Sequence, residues 1–515
     1  MAEPDPQAPT RIRFGRAFSV GLNACTAHPV EVQANVGQGL PGVTIGGGTD
    51  SALKEAKDRI RAAITNSGFP FPDMKITFNL APAHLPKRGS AHDLAMAVSL
   101  LAAVGKAPPD LLGTTVLLGE LALDGSIRPV HGVLPAVIAA RARGFRRAVV
   151  PLATVAEAAL VTDMDVGGAR TLGEVVRWLG GGCVLDTVDD QVIAPPPPVI
   201  ADMADVAGQS EARHALEIAA AGGHHLFMTG PPGIGKTMLA RRLPGVLPSL
   251  DAEESLEVTA IHSIAGALAP GAPLVTEPPF IDPHHTSSVT ALLGGGTGMA
   301  QPGAVSLAHR GVLFLDECAE MGPKVLDALR QPLEEGEVRV PRRDGVAVYP
   351  SRFQLILAAN PCPCAPVQDI DCRCTSVVRR RYLGRLSGPL MDRVDIRVRM
   401  EPPGNAALAT TAVETSAQIR ARVVRARGAA LERWREFGWR TNAEASGPDL
   451  RRRFALPRRA LRPVEMGLAQ GRVTARGADR AIRVAWTITD LSGGTVPSED
   501  EVAQALLYRD RGSYQ

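Results

Sequence analysis

Short apolar runs bounded by turn residues alternate with longer amphipathic stretches over the first 190 residues. The runs Lys75-Ile-Thr-Phe-Asn-Leu80, Thr115-Val-Leu-Leu-Gly119 and Arg147-Ala-Val-Val-Pro151 predict strands, and 50–66, 91–104 and 132–143 predict helices. Such alternation is the pattern of an α/β unit. Further on, His225-Leu-Phe-Met-Thr229, Gly311-Val-Leu-Phe-Leu315 and Gln354-Leu-Ile-Leu-Ala358 are near-continuous apolar runs lying between helices, which predicts a buried parallel sheet. From about residue 405 the pattern becomes helical and rich in Arg. There is no internal repeat.

The longest apolar stretches, such as Leu94 to Val104, fall short of the roughly 20 residues of a membrane span, so no membrane partner is expected. Met1 to Arg16 carries Arg11, Arg13 and Arg16 but no apolar segment with a cleavage site follows, which predicts a cytoplasmic protein. The run Ala194-Pro-Pro-Pro-Pro198 cannot donate backbone hydrogen bonds and favours an extended spacer. It divides the chain into an α/β domain at 1–190, a linker at 191–200, a sheet-containing core at 201–402 and a helical end at 403–515.

Composition narrows the class. With 45% hydrophobic and 21% charged residues over 515 positions, the chain is no disordered, collagen-like or disulfide-framework sequence. The net charge of +3 conceals an asymmetry. From Arg373 onward there are 27 Arg against 15 acidic residues, about +12, so the preceding part carries about −9. Solvated helix faces account for any single Arg; the block as a whole points to a polyanion partner.

Candidate chemistry begins with Gly230-Pro231-Pro232-Gly233-Ile234-Gly235-Lys236-Thr237, a GxxxxGK[ST] match placed directly after an apolar strand and before a helical run. Glycines let backbone N–H groups turn around phosphates, Lys236 reaches the β and γ phosphates of ATP, and the Thr237 hydroxyl ligates Mg²⁺. Lys is scarce here, seven residues in all, so Lys236 stands at a site whose chemistry calls for an ammonium. A second strand ends in Asp316-Glu317 at the carboxyl edge of a parallel sheet, where ligands bind. Asp316 is the Mg²⁺ partner and Glu317 the residue that orients the attacking water. A third strand ends in Asn360, read as a sensor on that water, with a simple turn former as the alternative.

These motifs, with Pro283-His-His-Thr286, Leu329-Arg-Gln-Pro-Leu-Glu334, Asn360-Pro-Cys-Pro-Cys364, Ser387-Gly-Pro-Leu-Met-Asp-Arg393-Val-Asp395 and Thr474-Ala-Arg-Gly-Ala-Asp-Arg480, resemble the magnesium-chelatase-like family of AAA+ ATPases, in its competence-protein branch, over nearly the whole chain. The resemblance implies an α/β fold: an AAA+ P-loop parallel-sheet core, a C-terminal helical lid and an N-terminal Lon-protease-like (ribosomal S5-like) domain. It implies that Arg393 is the arginine finger completing a neighbour's ATP site, in a homo-hexamer, and that Arg476 is sensor 2, with Arg480 as the alternative. An intrachain pair with Asp392 or Asp395 is the other reading of Arg393. The implied activity is that of a helicase acting on single-stranded and branched DNA, promoting branch migration and strand integration during natural transformation, with recombination proteins as further partners. Two rivals share parts of the pattern: a chelatase-type motor remodelling a protein partner for metal insertion, and a Lon-like peptidase.

Lys236 and Asp316 are separated by an unusually long stretch. Its Gly-rich part, Pro283 to Gly303, resembles the helix-2 insert of this clade, and Gly336 to Pro350 reads as a hairpin turning at Arg342-Arg-Asp-Gly345. In the family such inserts face the central pore. Arg339, Arg342 and Arg343 would meet DNA phosphates there, and a solvated hairpin is the alternative. Cys362, Cys364, Cys372 and Cys374 crowd into one polar loop and form a candidate tetrahedral Zn²⁺ site of structural type, against free thiols. His284 and His285 are read as insert packing.

Pro86-Lys-Arg-Gly89, Gly119-Glu-Leu-Ala-Leu-Asp-Gly125 and Pro129-Val-His-Gly132 carry the Lon-like resemblance. Lon proteases use a Ser and Lys dyad. Here the corresponding positions hold Ala91 and Leu134; Ser90 is one residue early and Lys87 belongs to the fold's own motif. The domain is expected to be a scaffold or interaction module.

Overall fold

The computed structural model describes residues 13–46, 51–82, 87, 89–188, 200–269, 271–296, 300–342, 345–366, 371–401 and 413–509. Apart from Ile200, the linker expected at 191–200 lies outside them, as does Arg343.

The N-terminal unit is a seven-stranded sheet in the order β3-β4-β2-β1-β5-β6-β7: β1 Arg13–Asn23, β2 Thr26–Gly37, β3 Gly42–Gly46, β4 Lys75–Ala81, β5 Thr115–Leu117, β6 Arg147–Pro151 and β7 Asp165–Ala169. β1 and β2 form an antiparallel hairpin, Arg13 facing Val36 and Asn23 facing Thr26. Side chains of a strand alternate between faces, and here both faces are covered. Ala17, Leu117 and Val149 join a core with helices α1 (Ser51–Asn66) and α2 (Asp93–Ala103); Val20, Val116, Ala148 and Val150 point the other way, into a core with α3 (Val133–Ala142). The strands and helices predicted for this unit are thus present within two residues of their expected ends.

The core sheet is wholly parallel, in the order β9-β10-β13-β8-β14, from β8 Leu226–Thr229, β9 Phe280–Ile281, β10 Val312–Leu315, β13 Gln354–Ala359 and β14 Ile396–Arg399. Between β10 and β13 the chain forms a hairpin, β11 Glu337–Arg342 with β12 Gly345–Pro350. The same alternation sorts the sheet into two cores. Phe227, Leu313, Leu315, Leu355 and Leu357 pack against the insert and hairpin, where Val338, Val340, Ala347 and Tyr349 are buried. Leu226, Met228, Phe314, Ile356, Ile396 and Val398 pack on the other face.

That second core does not stop at the core domain. It continues into the lid helices α10 (Ser416–Trp434), α11 (Arg458–Ala469), α12 (Ala475–Ser492) and α13 (Glu499–Leu507) through Ile419, Val423, Trp434, Ile482, Trp486 and Val502. Trp434 is fully buried and donates its indole N–H to the Asn442 side-chain oxygen at 2.8 Å. The lid therefore shares one hydrophobic core with the sheet. The N-terminal unit touches the core where Gly132 N–H donates to the Ser263 carbonyl at 3.3 Å and Ser263 Oγ donates to Glu157. Among the described residues no helix is long and apolar enough to cross a membrane.

Candidate ATP site and its arginine edge

The phosphate loop leaves the carboxyl end of β8. Gly233 and Gly235 have φ of +74° and +98°, the left-handed region that Gly alone enters at no steric cost. The chain then enters a short helix, α4 (Lys236–Ala240). Lys236 is buried and its Nζ donates to the carbonyls of Gly230 (2.6 Å) and Pro231 (2.9 Å) and to Asn360 Oδ1 (3.0 Å). Burial lowers its pKa, opposed by the nearby Asp316 and Glu317 carboxylates. Thr237 Oγ1 donates to Asp316 Oδ2 at 2.5 Å. The structure thus brings the loop, Asp316, Glu317 and Asn360 together at one sheet edge, with the oxygen donors suited to Mg²⁺ already adjacent.

Glu317 has φ +48°, a rare conformation for a residue with a side chain. Its Oε2 lies 3.1 Å from His285 Nδ1. His285, expected to be insert packing, instead contacts the carboxylate that would orient water, and its ring lies 4.2 Å from that of His284. Spacing along the chain carries no sign of this pairing; the Pro283-His-His-Thr286 motif alone marked the segment.

The arginines lie elsewhere. β14 runs parallel to β8, so the residues preceding β14 sit at the amino edge of the sheet, with Asp395 and Ile396 N–H both donating to the His225 carbonyl at 3.1 Å. Four residues of strand, roughly 13 Å, separate that edge from the chain's own phosphate loop. Arg393, Arg476, Arg480 and Arg483 gather there around a cleft of about 1080 Å³. Arg393 pairs with Glu334, not with Asp392 or Asp395, and donates to the Pro389 carbonyl at 2.5 Å. Its Nε is buried without a partner among the described residues. Burial lowers its pKa, reinforced by Arg330, Arg480 and Arg476.

Arg480 is committed to structure. It pairs with Asp395, which is 1% exposed, and donates to the Arg393 carbonyl at 3.0 Å. Asp395 also meets His224 Nδ1 at 3.0 Å, and His224 Nε2 lies 2.8 Å from Thr487 Oγ1 on α12. Burial alone would raise the Asp395 pKa; Arg480 and the His224 hydrogen bond outweigh it and hold the carboxyl well below its usual range. Arg476, by contrast, is exposed and has no ion pair among the described residues.

The hairpin turns where expected, Arg342 facing Gly345, but its described arginines, Arg339 and Arg342, are engaged. Arg339 lies on β11 opposite Val348, away from the tip, paired with Glu337 at 2.7 Å and Glu335 at 3.8 Å. Arg342 donates to the Gly296 carbonyl and so ties the hairpin to the Gly-rich insert. The four cysteines converge: Cys362, Cys364 and Cys372 sulfurs lie 3.4 to 3.6 Å apart, and all four fall within 4.8 Å of one another. Zn–S bonds of ~2.3 Å imply S···S edges of about 3.8 Å, so this donor set could hold a metal ion. In the N-terminal unit, Ser90 donates to Glu120 and Lys87 to the Pro82 carbonyl, so the two form no dyad. Leu134 is buried, with its N–H on Glu157 Oε1 at 2.8 Å.

A P-loop on β8, a carboxylate pair after β10, an Asn after β13 that accepts from the P-loop Lys and a helical lid define an AAA+ ATPase, a class that works with ATP and Mg²⁺. Family profiles agree. Residues 202–408 match magnesium chelatase subunit ChlI, 31–154 match subunit ChlI of Mg-chelatase, and 413–509 match its C-terminal region. A Mycobacterium tuberculosis protein is 56% identical over 503 residues, covering 97% of this chain and 99% of its own. Competence protein ComM of Haemophilus influenzae is 39% identical over 504 residues, 97% of each chain. Lon protease 2 of Bacillus subtilis is 29% identical over 101 residues, 20% of this chain and 18% of its own. The chain belongs to the magnesium-chelatase-like family of AAA+ ATPases that includes ComM.

Proposed function

We propose that the protein is an ATP-driven DNA motor, a homo-hexameric helicase of the cytoplasm that promotes branch migration and integration of single-stranded DNA during natural transformation or recombination, with recombination proteins as further partners. The full-length likeness to a competence protein carries this reading. The division of the ATP chemistry between opposite sheet edges supports the ring. Lys236, Thr237, Asp316, Glu317 and Asn360 bind nucleotide and position water, and Arg393 and Arg476 stabilise the transferring phosphoryl group bound by the next subunit. In this reading the basic cleft of one subunit receives the anionic ligand held by its neighbour.

The four cysteines hold a structural Zn²⁺, since four protein sulfurs leave no open position for catalysis. Arg343, which lies outside the described residues, and Arg342 and Arg339 remain candidate pore contacts, the latter two only after exchanging their present partners. The test is the ATPase rate with and without single-stranded or forked DNA, alongside strand separation. Stimulation with unwinding supports the motor; neither one defeats it. A chelatase-type motor, favoured by the match of the core to subunit ChlI, predicts an ATPase indifferent to DNA.

A further inference from the structure

A short helix, α9 (Ser376–Leu383), follows directly on the cysteine cluster, capped by Thr375. Its sequence, Ser-Val-Val-Arg-Arg-Arg-Tyr-Leu, is unusual for the placement of its apolar residues. Val377 and Val378 are 64% and 42% exposed, while Tyr382 is buried. Arg380 and Arg381 are exposed, as is Arg373 in the cluster itself. None of these three arginines has an ion pair among the described residues, and the nearest acidic position in sequence is the exposed Asp371. Residues three and four apart share a helix face, so Val377, Arg380 and Arg381 stand together. Neighbouring arginines such as Arg385 and Arg393 pair with Glu320 and Glu334; Arg373, Arg380 and Arg381 do not pair with a carboxylate among the described residues.

The segment is also braced at both ends. It leaves the sheet after Ala359, through Asn360 and the buried Cys362. It returns through Tyr382 and Arg385, whose Nη1 donates to the Ala319 carbonyl (3.1 Å) and Glu320 Oε2 (2.9 Å), on the turn that follows Glu317. An exposed cationic surface is thus fixed between the sensor and the carboxylate pair of the ATP site.

We propose that Arg373, Arg380 and Arg381, with Val377 and Val378, form a contact surface for the sugar-phosphate backbone of a single DNA strand. Unpaired guanidinium groups match phosphates in charge and in fork geometry, and exposed Val side chains match the apolar faces of sugars and bases. The surface is separate from the hairpin and insert, and it rests on the DNA-motor reading. Its bracing gives bound DNA a short mechanical path to Asn360 and Glu317.

The test compares wild-type protein with the triple variant Arg373→Ala, Arg380→Ala, Arg381→Ala by fluorescence anisotropy of a labelled oligo-dT strand, with a non-hydrolysable ATP analogue, across 50–200 mM salt. The variant should bind about tenfold more weakly and show a salt slope smaller by about two, since each phosphate contact on a single strand contributes ~0.7. Its ATPase rate without DNA should match wild type, which also reports that it folds. Equal affinity and slope in the two proteins would overturn the surface while leaving the motor intact. Failure of wild type to bind the strand would overturn both. Loss of binding to vesicles containing phosphatidylserine, with DNA binding unchanged, would assign the surface to membranes and overturn the proposal.

Discussion

Replacing Arg480 by Ala and replacing Arg476 by Ala should have opposite signatures, although both residues lie on one helix at the same cleft. Arg480 is the main counter-charge of Asp395, whose side chain is 1% exposed, and the Arg480 side chain is itself only 22% exposed. Removing one partner of a buried pair leaves an uncompensated charge and costs about 3–5 kcal/mol. His224 remains against the other carboxylate oxygen and can share the charge, which places the expected loss near the lower end, about 3 kcal/mol. For a unit of this size that is a fall in melting temperature of roughly 6–12 °C. Arg476→Ala removes an exposed side chain with no ion pair and should stay within about 0.5 kcal/mol of wild type. It should instead lower kcat. The assays are calorimetric or circular-dichroism melting and steady-state ATPase on both variants, with Arg480→Ala/Asp395→Asn as a third. The double variant, lacking the stranded carboxylate, should recover part of the stability. If Arg480→Ala melts with wild type while Arg476→Ala collapses, the assignment of structural and phosphate-facing roles is wrong.

Arg393→Ala should reduce turnover by about a thousandfold or more with nucleotide affinity retained; mixing it with a Lys236→Ala variant should restore part of the activity, because mixed rings would contain intact interfaces, and absence of any rescue would argue for a finger acting within one chain. His92 is fully buried against Ser19 Oγ at 2.9 Å, and burial, with Lys87 adding to it, holds its pKa down to about 4. Between about pH 4 and 6.5 the unfolded chain therefore binds a proton that the folded chain refuses, so stability falls as pH drops through that window, by about 2 kcal/mol from pH 7 to pH 5. Urea unfolding of wild type and His92→Gln across that range should show the steeper slope in wild type only; parallel slopes would rule His92 out as the source. Purified protein should contain one zinc per chain by mass spectrometry, and strong chelation should expose 361–385 to proteases; a metal-free preparation with the same protection would remove the zinc assignment.

Much of the site was legible because its chemistry is local. A P-loop needs Gly at particular positions, a Lys and a hydroxyl in immediate succession, and an apolar strand in front, all of which are read from consecutive residues. Asp316 and Asn360 were found the same way, as the residues where an apolar strand stops at its carboxyl end. Partner choice among long side chains was not legible. Arg339 was expected to face a strand of DNA and is held by Glu337 and Glu335, its neighbours on the hairpin. Arg342 is turned into the insert, and His285 crosses to Glu317. A guanidinium or imidazole reaches several ångströms in any direction, and what it meets is set by how the segments approach one another.

The sequence by itself determined the parallel sheet, the order of its nucleotide-binding ends and the absence of a Ser and Lys dyad, because these follow from side-chain periodicity and from residue identity at single positions. Only the tertiary structure decided that the lid shares the core of one sheet face, that the four sulfurs converge, and that the arginines collect at the edge opposite the chain's own P-loop. These depend on which buried surfaces close against each other. Burial of Asp395 is the clearest case: once lid and sheet exclude water from its carboxylate, Arg480 must serve it, while Arg476 stays exposed with no ion pair among the described residues.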